Sequence, residues 1–188
     1  YTNPAKYILY QDVLIGLFDK HVEGCNHKEQ YAKMNDIFAR KELKTDAEKH
    51  FFEYPIALSK VLEKKCEIGI ELKKAYDDGN KAELKNIADV KLKELYDEVE
   101  NLRRVHRKQW HETSEPFGFE VLDIRYGGVL ARIDTAIYRI NEHLEKGISL
   151  RELEEERLFF GSRKNPDVCD ATFAYFYSKI ASAGILCV

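Results

Sequence analysis

The sequence predicts an all-α protein, an antiparallel bundle of about three long helices with short flanking helices. Apolar residues recur at helical spacing over about 45–79, 80–111 and 119–145. Three capping boxes stand where helices should open. Only 4 Pro and 10 Gly interrupt 188 residues, which suits a helix-rich globular chain. Neither a repeat of 20–50 residues nor a βαβ alternation is visible.

Residues 1–22 read as an N-terminal arm, extended at first and then a short helix. Tyr7, Ile8, Leu9, Val13, Leu14, Leu17 and Phe18 make it densely apolar, so it should pack on something. Gly24 and Asn26 break it. The helical domain spans 23–160. Its first helix is expected over about 27–43, with Tyr31, Met34, Ile37 and Phe38 at helical spacing. Thr45 and Glu48 form a capping box for the next, in which hydroxyl and carboxylate satisfy free amides reciprocally. Pro55 lies inside this pattern and lacks an amide hydrogen, which predicts a kink or a restart there. Gly79 ends the helix.

Asn80 and Glu83 open the longest pattern, carried by Leu84, Ile87, Ala88, Leu92, Leu95, Val99, Leu102 and Trp110. Unbroken to about His111, it would be roughly 48 Å long. After the turn around Pro116 comes a helix over about 119–145, with Leu122, Tyr126, Val129, Leu130, Ile133, Ile137, Ile140 and Leu144 on one stripe. Gly147 stops it. Ser149 and Glu152 form a third capping box, opening a short helix to about Arg157. The tail, 161–188, reads as either a short strand or a last helix.

The formal net charge of −3 gives no global footprint for nucleic acid. The basic run Arg103-Arg104-Val105-His106-Arg107-Lys108 reads as a bias at a helix C-terminus rather than as a nucleic-acid site. No apolar run reaches membrane-spanning length, so no membrane partner is expected. Cys25, Cys66, Cys169 and Cys187 lie far apart without metal-ligand spacing. Reduced thiols and a cytoplasmic location are the favoured reading. His111-Glu112 starts like a zinc motif but lacks the second His, and no Glu-x-x-His occurs, so neither metal nor other cofactor is expected.

Arg125, Arg132 and Arg139 recur every seven residues and share a helix face. Pairing with acids on neighbouring bundle helices is expected, with docking onto an acidic surface as the alternative. Gly127-Gly128 inside a helix costs about 1 kcal/mol per residue relative to Ala, and tight packing of another backbone or ring against the pair would explain it. Asp97-Glu98 is an adjacent acidic pair, but it lies mid-helix and reads as a solvated face. No catalytic residue is assigned.

Several segments together resemble the C-terminal helical domain of bacterial β-N-acetylhexosaminidases of glycoside hydrolase family 20. They are NPAKYILYQDVLIGLFD (Asn3 to Asp19), ALSKVLEKKCEIGIELKKAYDDG (Ala57 to Gly79), the stretch from Arg103 through PFGFEVLDIR to Arg132, and LRELEEERLFF (Leu150 to Phe160). The resemblance implies an α/β domain and a catalytic (β/α)₈ barrel upstream. It implies removal of terminal N-acetylhexosamine from glycans, with the substrate's acetamido oxygen as nucleophile. The acidic pair that assists would lie on the barrel. This chain would then brace the barrel, form a homodimer contact, or both, and would meet glycan only through the parent. The residues expected to contact the barrel or a partner are Tyr7, Leu9, Phe117, Phe119, Glu120, Asp123, Arg125 and Arg132. The alternative is a free-standing helical interaction module.

Overall fold

The computed structural model describes residues 4–159, which contain no strand. The order is α1 (Pro4–Tyr10), α2 (Asp19–Val22), α3 (His27–Arg40), α4 (Asp46–Lys65), α5 (Ile68–Asp77) and α6 (Lys81–Asn86). A π-helical turn (Ile87–Lys91) then leads into α7 (Leu92–Thr113), followed by α8 (Phe119–Lys146) and α9 (Arg151–Glu154). The all-α bundle expected from periodicity is the fold. The expected tail strand lies outside the described residues.

The long helices pack in sequence, α3 on α4, α4 on α7 and α7 on α8, and α1 lies across α4 and α8. The stripe from Leu84 to Leu102 is fully buried, as its spacing requires. Tyr126, Val129, Ile133, Ala136 and Ile140 bury the inner face of α8 in the same core. Each large side chain so buried contributes roughly 1.5–3 kcal/mol.

The N-terminal arm departs from its prediction. It is helical from Pro4, which opens α1 at the one helical position where a missing amide hydrogen costs nothing. Its apolar surface is covered within the chain, since Tyr7, Ile8, Leu9, Val13, Leu14 and Phe18 belong to the common core. The core therefore closes without a surface from elsewhere.

The expected restart at Pro55 is also displaced. Pro55 sits inside α4, and the chain breaks instead at Cys66–Glu67, before α5. Packing of Ala57, Val61 and Leu62 in the core holds α4 together across the lost hydrogen bond. The Thr45 box forms as predicted, with the Glu48 amide donating to Thr45 Oγ1 (3.1 Å) and the Thr45 amide to the Glu48 carboxylate (3.0 Å). At Asn80 only half forms. The Glu83 amide donates to Asn80 Oδ1 (3.0 Å), while the Glu83 carboxylate turns to Lys91 (2.7 Å). The box at Ser149 does not form. Arg139 takes the Glu152 carboxylate (3.2 Å), the Leu150 amide donates to the Tyr76 hydroxyl (3.2 Å), and α9 is one turn long.

Candidate functional site

Two polar features flank α1, a buried knot on one side and an aromatic cleft on the other. The knot is built on the loop between α1 and α2. Asp12 Oδ1 accepts the amides of Leu14 (2.8 Å) and Ile15 (3.1 Å), fixing the turn after α1. Asp12 Oδ2 takes the Arg132 guanidinium from α8. Gln11 Oε1 accepts the Phe18 amide (3.1 Å), and its Nε2 donates to Asp19 (3.2 Å). Lys65, 1% exposed, donates from the end of α4 to the carbonyls of Ile8 (2.9 Å) and Gln11 (2.5 Å). It thereby answers carbonyls that α1 leaves free at its C-terminus.

Arg157 closes the knot. Its guanidinium donates to the carbonyls of Leu14 (2.6 Å) and Ile15, and lies 3.6 Å from Asp19. Gly16 makes room for it. At φ +55° its backbone is left-handed, and a Cβ there would collide with the Asp19 carboxylate and Arg157 Nε. Burial pushes the Asp19 carboxyl up to about 6 against the pull of Arg157 and Lys65. It pushes Lys65 down to about 8, against Asp12 and Asp19. Outside the knot runs a groove of about 620 Å³, bordered by Asp19, Lys20, Lys73, Asp77, Glu154 and Arg157.

The cleft, about 260 Å³, is walled by Leu9 and Tyr10 of α1, Tyr54 of α4, His106 of α7, and Leu122 and Arg125 of α8. Beneath it the Tyr126 hydroxyl meets His106 Nδ1 at 3.0 Å and hydrogen-bonds Tyr10 and Tyr54. Burial raises the Tyr126 phenol far above its ordinary range and lowers His106. At neutral pH both are uncharged hydrogen-bonding partners, with His106 Nδ1 already engaged. Arg125 lies over the Tyr10 ring, 4.4 Å from its centroid. This arrangement positions helices and can hold a polar or aromatic group.

Each of the three arginines of α8 is engaged within the domain. Arg125 stacks on Tyr10, Arg132 pairs with Asp12 of the loop, and Arg139 reaches Glu152 of α9 as well as Glu142 of its own helix. Three cations of the basic stretch of α7 are likewise paired. Arg103 binds Glu100 and Asp123, Arg104 binds Glu100, and Lys108 binds Glu53. The Arg103 hydrogen bond, reinforced by Arg104, holds the Glu100 carboxyl down at about 2.

Asp97 is exposed and Glu98 half-buried, in the second turn of α7, and neither borders the groove or the cleft. Among the described residues no group of three His, Cys, Asp or Glu side chains could hold a metal ion. No described helix is long and apolar enough to cross a membrane. The Cys25 thiol donates to the His21 carbonyl (3.5 Å), and burial pushes the Cys66 thiol up to about 12.

The family model described as Glycoside Hydrolase 20C C-terminal domain matches residues 1–171. The chain belongs to this family. No curated protein matches it. The likeness read from the Asn3–Asp19, Ala57–Gly79 and Arg103–Arg132 segments is thus borne out over nine-tenths of the chain.

Within this family 20 domain the expected contact residues separate into two groups. Tyr7, Leu9 and Phe119 are buried, about 3% exposed, and their surface is spent on the domain's own packing. Phe119 lies against Trp110 and His106, and the Trp110 indole donates to the Glu115 carbonyl (2.9 Å), which shapes the turn before α8. Glu120 accepts the Gly118 amide (2.7 Å), and Asp123 binds Arg103. Phe117, Glu120 and Asp123 face solvent, while Arg125 and Arg132 are half-buried. Gln11, Asp12, Asp19, Lys65 and Arg157 were not legible as a unit. The one signal was a polar pair and an Asp inside the apolar arm.

Proposed function

We propose that this chain is a non-catalytic C-terminal domain that braces the upstream catalytic barrel of a family 20 glycoside hydrolase. The parent removes terminal N-acetylhexosamine from glycans, with the substrate's acetamido group as nucleophile. The family match over residues 1–171 carries this reading. The site geometry supports it, because the buried polar groups are committed to holding α1, α4, α8 and the segment after α9 together. The adjacent pair Asp97-Glu98 fits a helix surface, where neighbouring side chains point about 100° apart.

The test is hydrolysis of a chromogenic N-acetyl-β-glucosaminide by this chain and by the complete product of its gene. The expected result is turnover by the complete protein only. Turnover by this chain alone, abolished by Asp97→Asn or Glu98→Gln, would overturn the reading.

A further inference from the structure

The outer face of α8 carries a second apolar stripe that the bundle does not use. Val121, Ile124, Gly128, Ala131, Thr135 and Tyr138 follow one another at intervals of three and four, the seam of a helix that packs against another helix. Val121 is 55% exposed, Ile124 75% and Tyr138 59%, and Phe117, 82% exposed, extends the stripe past the N-terminus of α8. Among the described residues nothing lies within 4 Å of a Cβ placed on Gly127 or Gly128. Tight packing against the described part of the domain, the expected reason for this pair, is therefore not the reason. Two helical glycines on an open face cost about 1 kcal/mol each, and they are explained if a backbone comes close from outside.

We infer that this stripe seats an apolar helix of the upstream domain, one presenting bulky aliphatic or aromatic side chains over Gly127 and Gly128. This rests on the reading that a catalytic domain precedes the chain. The course of the chain chooses this occupant. α1 delivers the chain beside the stripe, since Ala5 and Lys6 share the cleft with Leu122 and Arg125 of α8. Each residue spans at most about 3.5 Å, so the three residues before Pro4 keep whatever precedes them near the N-terminal half of α8.

The experiment compares Ile124→Asp with Ile37→Asp, a change at an equally open apolar residue on α3. Each is made in this chain alone and in the complete protein, and the unfolding temperature of the helical domain is measured. The expected result is little change for either variant in the chain alone. In the complete protein Ile124→Asp should lower the transition by about 5 °C or more, while Ile37→Asp leaves it in place. If the wild-type domain melts higher in the complete protein but Ile124→Asp acts no differently there, bracing stands and this surface is wrong. If the wild-type domain melts identically in both, the bracing role itself fails. A dimer of the chain alone that Ile124→Asp dissociates would assign the stripe to a second copy and overturn the inference.

Discussion

The two faces of α8 are built to the same period and end in opposite environments. Inward, Tyr126, Val129, Ile133, Ala136 and Ile140 are buried in the core, where α7, α6, the π-helical turn and α1 pack on α8. Outward, Val121, Ile124, Gly128 and Ala131 stay exposed, and two glycines keep the surface low. The difference teaches what periodicity can and cannot say. A spacing of three and four marks a face that wants a partner helix, but it does not say whether the partner lies within the chain.

The largest expected effect separates the faces directly. Ile133→Ala should cost about 2–5 kcal/mol by opening a cavity in the core. Ile124→Ala in the chain alone should stay within about 0.5 kcal/mol. Chemical denaturation of the two variants measures both, and equal costs would erase the distinction between the faces. At the seam, Arg132→Met should cost about 3 kcal/mol, because it leaves the Asp12 carboxylate, 1% exposed, without its partner. Unfolding of Arg132→Met beside Asp12→Asn/Arg132→Met would show whether the buried charge causes the loss, since the double variant should recover part of it.

A pH series probes the knot that anchors the inner face. Asp19 holds its proton in the fold up to about 6, against an ordinary value of 3.8. Its contribution therefore favours folding most below about pH 3.8 and fades as the pH rises through 6. Between pH 7 and pH 4 the stability of wild type relative to Asp19→Asn should improve by up to about 3 kcal/mol. A difference that stays flat with pH would mean that Asp19 is solvated rather than buried. A small gain is expected on the outer face. Gly128→Ala should stabilise the chain alone by about 1 kcal/mol, read as a rise of a few degrees in its unfolding temperature. A loss of stability would show that something within the chain packs there.

Much of the fold was legible because long helices repeat one simple constraint. The Leu84–Leu102 stripe, the Thr45 cap and the stop at Gly147 depend on residues close in sequence, and all three stand as read. The misreadings have a common source in contacts between distant residues. Pro55 is tolerated because the turns of α4 that follow it are buried in the core, and the Ser149 box gives way because Arg139 claims Glu152. The π-helical turn at Ile87–Lys91 widens a single turn without disturbing the buried stripe, so spacing could not reveal it. The knot was hidden for the same reason. Asp12 meets Arg132, and Asp19 meets Arg157, across more than a hundred residues of chain.

The most direct measurement is the thermal unfolding of this helical domain, alone and joined to the polypeptide that precedes it. A domain that braces a barrel through the outer face of α8 should unfold several degrees higher when joined. An unfolding temperature unchanged by joining would contradict the account and leave the outer stripe of α8 without a partner in its own chain.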